Sequence, residues 1–86
     1  MNKKSYYVYI VECSDGTFYT GYTTNVERRV SEHNSSKRAA KYTRSRRPVH
    51  LLYTETFTTV SAALKREHVI KKMSRKEKKK LVNKHV

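Results

Sequence analysis

Apolar side chains recur in two short segments near the start of the chain. Residues 6–13 and 17–22 are rich in β-branched and aromatic residues, and Ser14-Asp15-Gly16 stands between them. Two such segments around a Gly-containing turn predict a β-hairpin. The length of the turn is left open, and it decides which side chains meet.

The two turn lengths place Tyr9 and Tyr19 differently. A two-residue turn pairs Tyr9 with Tyr22 and puts Tyr9 and Tyr19 on opposite faces of the hairpin. A three-residue turn with Gly16 in the left-handed conformation pairs Tyr9 with Gly21. The two tyrosines then lie diagonally on one face, with Cα atoms about 7–8 Å apart. They can act together only if the turn has three residues.

A helix, a loop and a third strand are predicted after the hairpin. Thr24 opens a capping-box pattern, which predicts a helix from Thr24 to His33 or Asn34. Residues 35–47 are polar and basic and are predicted to form a loop. Residues 49–57 are apolar and β-branched enough to predict a strand.

Two more helices complete the predicted fold. The second is predicted from Thr59 to Lys72, and a capping box at Ser74 begins a third, strongly basic helix that Leu81 and Val82 anchor. The predicted inner stripe of the second helix is Val60, Ala63, Leu64, Glu67 and Ile70. The element order ββαβαα predicts an α+β fold with a short three-stranded, largely antiparallel sheet flanked by helices.

Size and charge narrow the class of protein. At 86 residues, the chain is expected to form a single domain over 1–86, with a core at about 5–80 and a basic C-terminal tail. There are 20 Lys+Arg against 7 Asp+Glu, a formal net charge of +13. A field of one sign predicts a polyanionic partner, with nucleic acid ahead of an anionic membrane.

The same sequence argues against several alternatives. No apolar run approaches the roughly 18 residues of a membrane-spanning helix, so a membrane partner is not expected. Cys13 is the only cysteine, which excludes an internal disulfide and a cysteine-based metal cage. The expected location is the cytoplasm.

Basic residues concentrate in two runs, one inside the predicted loop and one at the C-terminus. Such runs are either solvated surface or phosphate-binding surface, and two runs around one small domain favour nucleic acid. The predicted nucleic-acid-binding residues are Lys37, Arg38, Lys41, Tyr42, Arg44, Arg46, Arg47, Lys71 and Lys72. No base-reading element is evident, so little sequence specificity is expected.

Polar residues stand at helix positions that normally face a core. These are Arg29 and His33 in the first helix and Glu67 in the second. One interpretation is structural, with Glu67 paired to Arg29 or a lysine and His33 ending its helix. The other is phosphodiester hydrolysis, which needs a proton acceptor for water, a cation on the phosphate and a metal ion. Glu67 is the metal candidate, because one carboxylate with water and phosphate can hold Mg²⁺.

The chain resembles the GIY-YIG nuclease superfamily, specifically its small standalone YhbQ-like members. Two triplets carry the resemblance, Tyr7-Val8-Tyr9 and Tyr19-Thr20-Gly21. They are followed in order by Arg29, His33 and Glu67. The segments "KYTRSRRPV" and "ALKREHVIKK" resemble this subfamily in particular. Tyr7 and Thr20 depart from the family triplets, and the only Asn beyond the Glu67 helix is Asn83.

The resemblance implies a role for each of five catalytic residues. Tyr9 and Tyr19 would position and deprotonate the attacking water with help from His33, and Arg29 would hold the phosphate. Glu67 would coordinate a single Mg²⁺ or Mn²⁺. Since a tyrosine pKa is about 10, nearby cations are expected to depress it.

The resulting prediction is a metal-dependent endonuclease acting on DNA more readily than RNA, with branched or flapped structures as candidate substrates and DNA repair as its setting. A protein partner would supply substrate targeting, since larger relatives carry separate DNA-binding domains. The alternative is a weakly active or non-catalytic nucleic-acid-binding module, with an RNA-associated basic protein as a third.

Overall fold

The computed structural model describes residues 4–84, which form one three-stranded sheet with helices on both faces. The elements are β1 (Tyr6–Glu12), β2 (Phe18–Thr23), α1 (Val26–Ser35), α2 (Lys41–Arg44), β3 (His50–Phe57), α3 (Val60–Lys71) and α4 (Arg75–Asn83). The predicted α+β class and the order ββαβαα are confirmed, with the four-residue α2 as an addition. No helix within residues 4–84 is long and apolar enough to cross a membrane.

Strand β1 lies at the centre of the sheet and is covered on both sides. It pairs antiparallel with β2 and with β3. Because successive side chains of a strand point to opposite faces, Val8 and Ile10 enter one core with α3, while Tyr9 and Val11 enter a second core beside α1. The sheet therefore presents Tyr9 to α1.

The hairpin turn has three residues. The backbone N–H of Cys13 donates to the carbonyl of Thr17 at 2.8 Å, and Gly16 has a φ of 82°. A positive φ is readily adopted by glycine, which has no Cβ to clash with the backbone. Tyr9 stands opposite Gly21, as the three-residue turn requires. The structure therefore settles the turn length left open by the sequence.

Helix α1 begins one residue later than predicted. Its N-cap is Asn25, whose side-chain oxygen accepts from the N–H of Arg28 at 3.0 Å, and not Thr24. Asn is as good a cap as Thr, and here its backbone is extended. The helix ends at Ser35, close to the predicted end, and its inner face carries the buried His33.

The loop predicted over 35–47 is wrong in its middle part, which forms α2. This turn is too short to show helical periodicity, and its sequence is dominated by basic residues. Arg47 fastens the segment to α1 by donating to the backbone carbonyls of His33 and Ser36. The Asn34 side chain fastens the end of α1 to the start of β3, accepting from Val49 N at 2.7 Å and donating to Val49 O at 3.1 Å.

Helix α3 buries a narrower stripe than predicted. Ala63 and Ile70 are fully buried, but Val60 and Leu64 are 41% and 45% exposed. The helix contacts the sheet mainly through the row that Ala63 and Ile70 share, so residues to one side of this row reach solvent. The capping box of α4 is confirmed, and its Leu81 and Val82 pack against the same core.

Candidate active site

Tyr9 crosses the face of β2 at the position where that strand has a glycine. A Cβ placed on Gly21 would lie 2.6 Å from Tyr9 Cζ, well inside van der Waals contact. Only a residue without a side chain leaves room for the tyrosine ring, which explains why the second triplet ends in glycine here. Tyr9 is 1% exposed, so its hydroxyl lies in a nearly dry environment.

His33 and Thr43 extend a hydrogen-bond chain from Tyr9. Tyr9 Oη lies 2.6 Å from His33 Nε2, and His33 Nδ1 lies 2.7 Å from Thr43 Oγ1. The Thr43 hydroxyl has a single proton and donates it to the Ala40 carbonyl at 3.0 Å. With the hydroxyl proton assigned to the Ala40 carbonyl, Thr43 accepts from the imidazole, and we assign the His33 proton to Nδ1 on this basis.

The other end of the chain fixes the same direction. The Arg29 guanidinium is near enough for its positive charge to act on the Tyr9 oxygen, and it has no lone pair that could accept the Tyr9 proton. Tyr9 therefore donates its proton to His33 Nε2. The chain then runs in one direction, from Tyr9 through His33 and Thr43 to Ala40.

Burial moves the pKa values of the central pair apart. Desolvation raises the pKa of Tyr9 to about 12, and the nearby Arg29 guanidinium only partly opposes this shift. Burial, helped by the positive charge of Arg29, lowers the pKa of His33 to about 4. The expectation that cations depress the tyrosine pKa is therefore wrong for Tyr9. Both groups are neutral at pH 7, with a proton donor facing an unprotonated imidazole nitrogen.

Tyr19 also packs against the imidazole and begins an aromatic stack. Its ring meets His33 edge-on, with centroids 5.3 Å apart, and stacks on Tyr42 at 5.9 Å. The Arg46 guanidinium lies 3.9 Å from the centre of the Tyr42 ring and pairs with Asp15 at 3.1 Å. The hairpin turn thereby holds the stack in place.

Arg29 and Glu67 each carry a partner of opposite charge. Arg29 donates to Glu32 at 3.0 Å and to the carbonyl of Arg38 at 2.8 Å, so the pairing of Arg29 with Glu67 considered from sequence does not occur. Glu67 instead pairs with Lys71, one helical turn away, at 3.3 Å. Its carboxylate still contributes to the raised pKa of Tyr9, which places Glu67 within electrostatic reach of the site.

Glu67 is the metal-ligand candidate from the sequence, and among residues 4–84 it belongs to no cluster of three such ligands. Within residues 4–84, no three His, Cys, Asp or Glu side chains cluster as the ligands of a metal ion would. A single hard oxygen donor suits Mg²⁺ or Mn²⁺, which commonly complete their coordination shell with water and phosphate. One carboxylate therefore suits an ion that also binds oxygens of the substrate. It does not suit an ion that the protein holds permanently by its own ligands.

A family model described as the GIY-YIG catalytic domain matches residues 5–81. The chain belongs to the GIY-YIG family. GIY-YIG domains form a superfamily of nucleases, and such a domain implies a nucleic-acid substrate. GIY-YIG nucleases generally use a divalent metal ion.

Relatives of this GIY-YIG chain are found in distant organisms. It is 60% identical over 76 residues to a UPF0213 protein of Syntrophus aciditrophicus, covering 88% of this chain and 87% of the relative. A UPF0213 protein of Bacillus halodurans, solved by NMR, is 47% identical with a TM-score of 0.59, covering 92% and 83% of the two chains. An NMR structure from E. faecalis is 49% identical with a TM-score of 0.64, covering 98% and 88%. These likenesses confirm the fold.

The basic residues of this GIY-YIG domain divide into two groups. Arg46 and Arg47 are engaged within the chain, the first with Asp15 and Tyr42 and the second with backbone carbonyls. The other predicted binding residues are largely exposed: Lys37, Arg38, Lys41, Tyr42, Arg44, Lys71 and Lys72. Phosphate contacts from the exposed group remain a prediction. Asn83 is exposed at the end of α4.

Thr43 is the site residue that sequence reasoning missed. It is fully buried and lies in a segment predicted to be a loop. One clue was available, since Thr43 follows Tyr42 inside the segment that resembles this GIY-YIG subfamily. Its role depends on the distance between α2 and α1, which no periodic pattern encodes.

Proposed function

We propose that this protein is a metal-dependent endonuclease that hydrolyses phosphodiester bonds in DNA with little sequence specificity, and that branched or flapped structures are its substrates. The observation that carries the proposal is the hydrogen-bond chain from Tyr9 through His33 to Thr43, beside the charge of Arg29. The Tyr9 hydroxyl faces an imidazole nitrogen at 2.6 Å and lies within the electrostatic reach of the Arg29 guanidinium. A proton donor, a base and a cation are thereby brought together at one point.

This orientation supports a specific proton path. As the Tyr9 oxygen accepts a proton from water, its own proton moves to His33 Nε2, and neither group must be charged beforehand. Because Tyr9 is almost fully buried, that water must be held against the hydroxyl and cannot come directly from bulk solvent. Tyr19 and Arg29 are more exposed and would orient the phosphate.

Glu67 is the residue that would hold the divalent ion, together with oxygens of the substrate. Such an ion offsets charge that develops on the phosphate and the leaving oxygen. Lys71 would then be released toward the backbone of the nucleic acid. Mg²⁺ and Mn²⁺ both suit a carboxylate donor.

A second candidate is a nucleic-acid-binding module with little or no activity. The pairs Arg29–Glu32 and Glu67–Lys71 favour it, because each occupies a charged group that catalysis would require. In this case the exposed basic residues would bind phosphate and the hydrogen-bond chain would serve the fold.

The Glu67→Gln variant separates the two candidates. Lys71 is half exposed, and such pairs contribute about 0–1 kcal/mol, so the melting temperature should change little. Cleavage of a labelled flapped DNA with Mg²⁺ should fall by orders of magnitude, while DNA affinity in chelator should hold or tighten. Glu27→Gln, an equal charge change at an exposed position of α1, is the matched control. Cleavage retained in Glu67→Gln would exclude the metal role, and no cleavage by wild type on any structured nucleic acid would favour the binding module.

A further inference from the structure

A cleft with aromatic and cationic walls lies between strand β2 and helix α4. Its volume is about 220 Å³, and the described residues that line it are Thr17, Phe18, Tyr42, Met73, Arg75 and Lys78. None of these is acidic. Pockets for free small molecules are typically about 300–1,000 Å³, so this cleft, which we call the β2–α4 cleft, is sized for one group of a larger ligand.

The cationic wall is held in place by the hairpin turn. Arg75 donates to the Gly16 carbonyl through Nε at 3.2 Å and Nη2 at 3.1 Å, and its guanidinium lies 5.0 Å from the centre of the Phe18 ring. The remaining N–H groups of the guanidinium can donate to a phosphate. Burial, and to a lesser extent the charge of Lys71, lower the pKa of the Lys78 ammonium. An anion in the cleft would therefore relieve unfavourable charge at Lys78.

Tyr42 joins the cleft to the candidate active site. Its ring stacks on Tyr19, which packs against His33, and the Arg46 guanidinium lies 3.9 Å from the ring centre. A strand whose phosphate lies at Tyr19 would therefore have its neighbouring nucleotide beside Tyr42 and Phe18.

We propose that the β2–α4 cleft binds one unpaired nucleotide of a single-stranded nucleic acid, next to the phosphate that the site cleaves. Aromatic rings beside cations are the combination by which proteins bind single strands without reading sequence. A paired base is stacked between its neighbours and cannot enter a cleft of this size, whereas an unpaired base can. The position of the cleft next to the cleaved phosphate rests on the proposed function, but binding of the nucleotide in the cleft does not require cleavage.

The test measures binding of fluorescein-labelled oligothymidylate and of a blunt duplex of equal length, with chelator present. Phe18→Leu and Lys78→Gln should each weaken oligothymidylate binding about five- to tenfold and change duplex binding less than twofold. Phe57→Leu is the matched control for Phe18, since both rings pack partly buried against the same core. Lys79→Gln is the control for Lys78, since it removes an equal charge from an adjacent exposed position outside the cleft. Melting temperatures show that each variant is folded, and Lys78→Gln decides if Phe18→Leu does not fold.

Three results would overturn the inference: unchanged oligothymidylate affinity in folded variants, equal losses on the duplex, or displacement by polyglutamate as effective as by unlabelled oligothymidylate of equal charge. The last would mean that the cleft reads acidic charge alone. Selective loss of single-strand binding in a protein that never cleaves would support the cleft and count only against the nuclease proposal.

Discussion

Replacing Thr43 with valine tests the orientation of the hydrogen-bond chain directly. Valine keeps the approximate shape of threonine and removes the hydroxyl that accepts from His33 Nδ1. The Ala40 carbonyl keeps its backbone partners, accepting from the N–H groups of Thr43 at 3.0 Å and Arg44 at 3.1 Å. The change therefore leaves one buried group without a partner, the Nδ1–H of His33.

The cost follows from that single orphaned donor. A buried unsatisfied donor costs about 1–3 kcal/mol. For a domain of this size, each kcal/mol lowers the melting temperature by about 4–8 °C, so a fall of roughly 4–24 °C is expected. In wild type, only the Nδ1 tautomer satisfies both Thr43 and Tyr9. In Thr43→Val each tautomer leaves one group unpaired, either the Nδ1–H of His33 or the hydroxyl proton of Tyr9. The preference for Nδ1 is therefore lost, and the Nε2 tautomer should gain population.

Long-range ¹H–¹⁵N NMR of the imidazole at pH 7 reads the tautomer without any activity assay. Wild type should show a protonated Nδ1 and an unprotonated Nε2 at His33, and Thr43→Val should shift protonation toward Nε2. Thr43→Ser keeps the hydroxyl and should restore the wild-type pattern. If the nuclease proposal holds, Thr43→Val should also cleave more slowly, by up to the 10²–10⁴-fold that acid–base catalysis supplies. A wild-type His33 protonated on Nε2, or a pattern unchanged in Thr43→Val, would refute the reasoning.

Three further predictions test the surroundings of the site. The pKa of His33 is lowered from 6.5 to about 4, so the unfolded chain takes up the proton first as the pH falls. The free energy of unfolding should therefore fall between pH 6.5 and pH 4, by at most about 1.4 kcal/mol per pH unit. Urea titrations of His33→Gln should lack this pH dependence. Gly21→Ala should cost about 1–3 kcal/mol by overpacking against Tyr9, and the cost should shrink in a Tyr9→Ala background, or the close approach of the two residues is not its cause. Thr20→Val should raise stability by about 1 kcal/mol, since the buried Thr20 hydroxyl has no partner among residues 4–84; a lower melting temperature would contradict this.

The strands and helices were predictable because local chemistry specifies them. The β-branched and aromatic residues of 6–13 and the Gly-containing turn define the hairpin, and the spacing of Ser74 and Glu77 defines the start of α4. The turn length was not predictable, because both turns place Gly16 where it is tolerated. The pairing of β1 with β3 does not distinguish the two turn lengths, because it involves the other edge of β1 and forms only in the tertiary structure.

The positions of the site residues were predictable, but their electrostatics were not. Helical spacing places Arg29 and His33 inward, and the order of the triplets places the tyrosines. The pKa of Tyr9 depends on how completely α1 and Gly21 enclose its ring, which is a property of packing across three elements. Desolvation then outweighs the nearby cation, and the shift has the opposite sign to the one expected from charge alone.

The charge pairs around the site bear on how a polyanion could bind there. Arg29 and Glu32 have side chains 22% and 19% exposed, and Lys71 is 50% exposed beside Glu67. Exchanging partners within such partly solvated pairs costs about 0–1 kcal/mol each, whereas an isolated buried arginine or carboxylate would cost several. Under the proposed function, a phosphate bound at Arg29 would compete with Glu32, and a phosphate near Lys71 would compete with Glu67. Because Glu67 is paired with Lys71 in the structure, substrate binding would free its carboxylate to hold a divalent ion together with phosphate oxygens.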